Sequence, residues 1–443
     1  MHPLHRRIHS TPFRPNDSSS EFRPQPATVQ HRPISLLKAC LQRAVALAFA
    51  ALLASAVYRS VTLAIADSLA RQPSADRVAA ALRLAPENAN YWQRFADLAD
   101  EEGHPVPDAY QRAATLNPYD ASSWIRAGLH AEAVRDFSLA ERNLLQAAHV
   151  SRLYEPRWTL ANFYFRRGDA PHFWPWAKSA LTWAYDDRRP LFDLCWNMSS
   201  DPAVLLRTAI PDTPEVRADY LAYLLDRDRL DAAQTVAAGV AETAGPDHRE
   251  LLLRHVNRML ETHRWDSALD VWNALCRRHV LPYEALDPSA GRSLTNPDFR
   301  WNLLTTGFDW QLASVPGVTS LQIPAPPALR FSLSGKQPEQ CDMLQQWLPV
   351  LPHDRYRLAF DYRTSTIAPN TGLQWTLWNG VTGSAIPSSS PQLSSTEWLT
   401  AAVDFTAPPD APILRLVLAY KRAPGTVRIN GEVWLRNLRL EFL

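Results

Sequence analysis

The stretch LAPENANYW, residues 84–92, returns thirty-two residues later as LNPYDASSW, residues 116–124. Both copies place a Pro six residues before a Trp and an Ala three before it. A third Trp follows at position 158, 34 residues after Trp124. Four residues beyond each Trp stand Ala96, Gly128 and Asn162, the first two small. The text after each Trp is helical in period, as in YWQRFADLADEEG and SWIRAGLHAEAVRDF. A unit of this length holds two helices and a turn. Pro86 and Pro118 end one pair before the next begins, because Pro cannot continue a helix interior. One helix pair cannot bury its apolar face alone, so such units must stack on one another.

A period near 34 with Trp, a small residue and a closing Pro resembles the tetratricopeptide repeat. The likeness covers residues 75–185. It weakens after the Pro- and Asp-broken stretch 186–215, although 216–242 and 250–278 each read as a further helical pair. The resemblance implies a peptide- or protein-binding concave face built mainly from first helices. Arg94 and Arg126 each lie two residues after the aligned Trp, and Asn90 and Asp97 share that face of the first repeat. A ladder of two arginines suits a carboxylate or another acidic group. The plainer alternative is a solvated helix face.

Upstream of the repeats, Ala44–Ala66 runs for 23 residues with one charge, Arg59. At 1.5 Å per residue such a helix spans about 35 Å, enough for a ~30 Å hydrocarbon core. Arg59 falls in its last third, where a long side chain can snorkel to the interface. Residues 1–43 carry seven Lys/Arg and two Asp/Glu, net +5, which leaves −4 for the rest of a chain whose total is +1. That asymmetry places the N-terminus inside and the C-terminal bulk outside. Two readings compete with an anchor. One is a signal peptide cleaved near Ala54–Ala56, disfavoured by a basic lead of 43 residues; the other is an Ala-rich soluble helix. Residues 1–35 are Pro-, Ser-, His- and Arg-rich and read as disordered.

After LDPSAGRSLTNPDF, residues 286–299, the period changes from helical to alternating. YRLAFDYRT puts Tyr356, Leu358, Phe360 and Tyr362 on one face and Arg357, Asp361 and Arg363 on the other. GLQWTLWNG sets Leu373, Trp375 and Leu377 opposite Gln374, Thr376 and Trp378. ALRFSLSG, ILRLVLAYKR and VWLRNLRLEFL complete a set of strands split by Pro, Gly and Ser turns, which predicts an antiparallel sandwich. Their order over 295–443 resembles the jelly-roll carbohydrate-binding modules with a galactose-binding-like fold. That resemblance implies glycan binding by an exposed aromatic beside planar polar groups, with Trp378 as the leading candidate and Arg357, Asp361 and Arg363 along the same surface. Core or edge packing is the competing role for these aromatics. Arg436 and Asn437 stand where the family often has an acid, so no metal is expected.

The expected fold is therefore one transmembrane helix, a tetratricopeptide-like α-solenoid, and an antiparallel β-sandwich of jelly-roll type. The boundaries are 1–35 leader, 36–70 anchor, 71–285 repeats and 286–443 sandwich. Only 14 glycines occur, and neither GxGxxG nor GxxxxGK[ST] is present. HExxH and GxSxG are missing too. The four cysteines form no CxxC pair, and nothing resembles a basic nucleic-acid footprint. The chain reads as a non-catalytic scaffold of the inner (cytoplasmic) membrane, its bulk periplasmic, without cofactor. It would hold a protein partner of the envelope and a polysaccharide, in polysaccharide production or export. The alternative is a glycan-active enzyme that uses the sandwich as substrate guide.

Overall fold

The computed structural model describes residues 33–443. Of the expected disordered leader, residues 1–32 lie outside the described residues, and Pro33 already begins a helix. The described residues form two compact units, divided between Asn117 and Pro118.

The first unit contains α1 (Pro33–Ala70), α2 (Ala75–Leu84), α3 (Ala89–Glu101) and α4 (Pro107–Leu116). α1 is the one helix among the described residues that is long and apolar enough to cross a membrane. Its end does not hand over to the repeats through a linker. Ala66 and Ala70 are buried in one apolar cluster with Val78, Ala81, Leu82 and Tyr91, and the Tyr91 hydroxyl donates to Asp67 at 2.9 Å. The last turns of α1 are thus the first helix of the first hairpin, a role the expected boundary at residue 71 leaves out.

The second unit opens with α5 (Ala121–Ala133), α6 (Phe137–Val150), α7 (Tyr154–Arg167) and α8 (Ala170–Trp183). The irregular pair α9 (Arg189–Met198) and α10 (Pro202–Thr208) follows. Then come α11 (Pro214–Asp226), α12 (Leu230–Glu242), α13 (Arg249–Glu261) and α14 (Trp265–Arg277).

The doubled motif explains how first helices start. Asn88 caps α3 by accepting from the Asn90 and Tyr91 amides, and Asp120 caps α5 by accepting from Ser122 and Ser123. These bonds satisfy amides that a helix start leaves without partners. The Trp four residues after each cap then folds back. The Trp92 indole N–H donates to the Pro86 carbonyl at 2.7 Å, and that of Trp124 to the Pro118 carbonyl at 3.0 Å. Pro therefore ends one helix pair and also supplies the acceptor that pins the next. The small residue matters as well, since a Cβ on Gly128 would sit 2.6 Å from Leu144 Cδ2. In the third repeat Arg152 replaces the Pro. Trp158 instead stacks on Tyr154 at 6.1 Å, and Arg157 donates to the Ser151 and Leu153 carbonyls.

Among the described residues, ten strands make two five-stranded antiparallel sheets. One has the order β1 (Gln311–Leu312), β4 (Gln340–Pro349), β9 (Ile413–Lys421), β6 (Leu373–Asn379), β7 (Ala385–Ile386). The other has the order β2 (Val318–Pro324), β3 (Pro327–Ser334), β10 (Asn430–Phe442), β5 (Arg355–Ser365), β8 (Leu399–Thr406). The expected inward faces are buried: Tyr356, Leu358, Phe360 and Tyr362 on β5, and Leu373, Trp375 and Leu377 on β6. Strands β1, β2, β4, β7 and β8 lie outside the five segments that alternation marks. β2 is a largely exposed edge strand, and a bulge between Asp342 and Leu344 breaks the alternation of β4.

Within the second unit, helices and sandwich share a core. Phe308 and Ile413 belong to the same buried cluster as Leu252, Val256 and Trp272. Trp265 on α14 packs 5.3 Å from Trp347 on β4. Gly307, at φ 60°, donates its amide to Asn257 at 2.8 Å. A Cβ at Gly307 would lie 2.6 Å from the Trp272 ring. The buried Asp309 carboxylate accepts from the Tyr283 hydroxyl at 3.0 Å and the Leu304 amide at 2.6 Å.

Candidate functional site

The four residues expected on the repeat face occupy different settings. Asn90 is exposed beside the α3 cap. Arg94 is exposed and donates to the Arg71 carbonyl at 3.3 Å. Asp97 is half-buried, with the Tyr110 hydroxyl 3.0 Å away, and that hydroxyl also lies 2.9 Å from Asp100. Asp97 therefore ties α3 to α4 in addition to facing outward. Arg126 is exposed on α5, in the second unit.

Later hairpins use the same charges to hold one another. Arg166 makes two 2.7 Å bonds to Glu132, 34 residues back. Arg227 pairs with Asp193, and Arg258 with Asp228. Arg254 pairs with Asp226. At near-repeat spacing these pairs stitch each first helix to its predecessor. Their exposure keeps each to about 0–1 kcal/mol, so they set register more than stability.

On the sandwich, Trp378 is half-buried and lies opposite the core, as alternation requires. Its indole N–H donates to Thr376 at 3.2 Å, and the Arg415 guanidinium lies 5.8 Å from its ring. The expected company is absent, however. Arg357, Asp361 and Arg363 are on β5, in the other sheet. Outward side chains of two packed sheets point away from each other, so Trp378 and this trio do not line one surface. Alternation assigns a face within a strand and is silent on which sheet the strand joins. The outer face bearing Trp378 also carries Trp347 and Ile413, which pack on the helices.

The trio's own surface is richer than its sequence suggests. The Arg363 guanidinium lies 4.4 Å from the Trp434 ring and 5.6 Å from that of Trp398. Arg436 lies 3.8 Å over the other partner it shares, Trp398. Asp361 accepts from Thr400 at 2.7 Å and Asn437 at 2.8 Å, with Arg436 Nε at 3.6 Å. Burial pushes the Asp361 carboxyl up, but those two hydrogen bonds and the Arg436 charge outweigh it and leave its pKa below the ordinary carboxylate value. Arg357 grips Asp404 through two 2.7 Å bonds, which hold the Asp404 carboxyl low as well. Sequence pattern assigns no ligand role to Trp398, Trp434, Arg436 or Asn437. Trp434 alternates with buried Val433 and Leu435, a signal that was available; Trp398 precedes its strand and gives none.

Further along β10, the Leu438 amide donates to the Pro297 carbonyl at 2.9 Å. Beside this contact a cavity of about 820 Å³ lies between the loop after α14 and the strand. Asn437, Arg439 and Glu441 line it from β10, and Arg300 and Trp301 from the loop. Trp301 is 47% exposed, and its backbone is held by Asn296 and Gln322. Asn437 belongs both to this cavity and to the Asp361 cluster.

The cysteines are unpaired. Burial pushes the Cys195 and Cys276 thiols up to about 12, which keeps them protonated and inert.

Solved structures similar to this chain include tetratricopeptide-repeat proteins along the helices and carbohydrate-binding modules over the strands. YrrB, described as a tetratricopeptide-repeat protein with an unusual peptide-binding site, is 16% identical. The match covers 47% of this chain and 94% of YrrB at a TM-score of 0.24. PilF of Pseudomonas aeruginosa is 13% identical, over 50% of this chain and 91% of its own, at 0.25. A family 4 carbohydrate-binding module is 12% identical, over 34% of this chain and 100% of its own, at 0.27. No protein-family model and no curated protein sequence matches the chain. Likenesses at these scores assign no activity, so function has to come from the side chains.

Proposed function

We propose that this chain is a non-catalytic, membrane-anchored scaffold of the cell envelope. α1 holds it in the inner membrane with its N-terminus inside, following the basic excess before the span. The repeats take a protein partner, through Asn90, Arg94 and Asp97 in the first unit and through Arg126 in the second. The sandwich holds glycan, and the assembly serves polysaccharide production or export. Stacked helical hairpins offer an extended surface suited to a peptide or protein.

The observation that carries the glycan reading is the cluster of Trp434, Arg363, Trp398 and Arg436 on one sheet face. Stacked guanidinium groups fix the ring orientations. Asp361, Asn437 and Thr400 set planar and hydroxyl groups beside the rings. Indole faces accept the apolar face of a sugar ring, and such side chains bind its hydroxyls. Arg357, Asp361 and Arg363 keep their assignment on this face. Trp378 becomes a separate, weaker candidate on the opposite sheet.

Two experiments test the proposal. Purified chain is passed over immobilised neutral polysaccharides and assayed on the same polymers for released ends. Retention without turnover supports a scaffold, whereas turnover contradicts it and favours a glycan-active enzyme. A double Arg94→Ala, Arg126→Ala variant that captures envelope proteins as well as wild type removes the protein-binding assignment.

A further inference from the structure

Arg59 is the one charge in the apolar run Ala44–Ala66, and the structure supplies surroundings for it. From Ala66 onward the helix is part of the first hairpin, while Val61, Leu63 and Ile65 stay exposed. Ala66 and Ala70 are buried against α2, while Asp67 accepts from Tyr91 and pairs with Arg71. The hydrocarbon-facing segment of α1 ends between Arg59, where the turn from α2 to α3 first lines a groove beside it, and Ala66, where burial begins. From Lys38 to Arg59 the helix rises about 32 Å at 1.5 Å per residue, which matches a ~30 Å hydrocarbon core. Arg59 then stands at the outer interface and Lys38 at the inner one.

At that level α2 returns toward the bilayer. A groove of about 820 Å³ lies between α1 and the turn from α2 to α3. Ser55, Tyr58, Arg59 and Thr62 line it from α1, and Arg83 and Asn88 from the returning segment. Neither Arg59 nor Arg83 has an ion-pair or hydrogen-bond partner among the described residues, and both are exposed. Glu87 is the single carboxylate in the lining, so the groove carries a net positive charge. Tyr58 is 75% exposed, a residue type that favours the headgroup level.

We propose that this groove binds the phosphate of an anionic phospholipid in the outer leaflet, with Arg59 and Arg83 as its two cationic contacts. The first hairpin then rests on the bilayer surface instead of swinging on a tether. The occupant is a lipid headgroup because one of the two cations rises from within the apolar helix itself, where a phosphate is delivered by the bilayer. The proposal rests on the membrane-anchor reading of α1.

Its test uses the full chain in nanodiscs of phosphatidylcholine doped with phosphatidylglycerol, with retained lipid counted by native mass spectrometry after detergent release. Wild type is expected to retain phosphatidylglycerol in preference to phosphatidylcholine. Arg83→Gln, which lies outside the span, is expected to lower that retention about tenfold, as loss of one charge-assisted contact implies. Arg59→Gln lowers it similarly, and Arg77→Gln, on the same helix α2 but outside the groove, leaves it unchanged. Equal retention by wild type and Arg83→Gln overturns the proposal, as does displacement of the lipid by millimolar inorganic phosphate. Alkaline carbonate extraction separates the two levels. Release of the chain from membranes overturns the anchor and the groove together. A chain that stays in the membrane with unchanged lipid retention in Arg83→Gln overturns the groove alone.

Discussion

Trp265, at the start of the last repeat helix, packs 5.3 Å from Trp347 on the sandwich strand β4. Around this pair the helices and the sandwich share one buried cluster, so residues 286–310 work as a packed joint. Its tightest point is Gly307, where positive φ coincides with contact to Trp272. Gly307→Ala is expected to destabilise the second unit by about 2–5 kcal/mol, through backbone strain and overpacking together. Denaturant unfolding followed by far-UV circular dichroism checks this. Helix and sheet signals are expected to shift together, and a shift confined to one of them would contradict the shared core.

The Trp–Pro lock gives a finer test. Trp124→Phe replaces the indole by a smaller phenyl ring and removes its donor to Pro118, and should cost about 1–2 kcal/mol. Asp120→Ala removes the α5 cap and should cost about 0.5–2 kcal/mol. Trp158→Phe is expected to cost less than Trp124→Phe, because among the described residues the Trp158 ring stacks on Tyr154 and makes no indole bond like the one from Trp124 to Pro118. Matched losses at positions 124 and 158 would argue that the rings act by packing alone.

Asp309 makes stability depend on pH. Burial raises its carboxyl from 3.8 to about 6 in the folded chain. The folded state then binds the proton more tightly than the unfolded state. The stability this proton contributes is complete below about pH 4 and is lost as pH rises through about 6. The full swing is about 3 kcal/mol at 1.36 kcal/mol per unit. Asp361 and Asp404, held low, act in the opposite sense as pH falls below the ordinary carboxylate range. The informative quantity is therefore the difference between wild type and Asp309→Asn, measured from pH 3.5 to 7. The advantage of the variant should grow with pH across that window, and a constant difference would refute the assignment.

The two faces of the sandwich should separate in binding. On any polysaccharide that retains wild type, Trp434→Ala and Trp398→Ala are expected to weaken binding about tenfold or more, on the scale of 1–3 kcal/mol for a stacking aromatic. Trp378→Ala should change it less than twofold. Affinity electrophoresis reads both effects, and a larger loss at Trp378 would move the site to the sheet that faces the helices.

Much of this architecture is legible one residue at a time. The Trp period marks the hairpins, the run Ala44–Ala66 marks the long apolar helix, and alternation on β5 and β6 assigns inward and outward faces correctly. These are local signals, because helix period, capping and strand alternation depend on neighbours within a few residues. β4 escaped because its bulge breaks the alternation, and β2 because an exposed edge strand has little apolar pattern.

The sequence by itself determined the helical hairpins, the long apolar helix and the alternating strands, their order, and the side each of their residues shows. Only the tertiary structure decided which strands share a sheet. That assignment parts Trp378 from Arg357, Asp361 and Arg363, and brings Trp398 and Trp434 to the trio from other strands. It also decided that α1 ends inside the first hairpin and that the joint after α14 is solid. Sheet partnership and helix docking are set by burial between residues far apart along the chain, and that free energy leaves no local periodic mark.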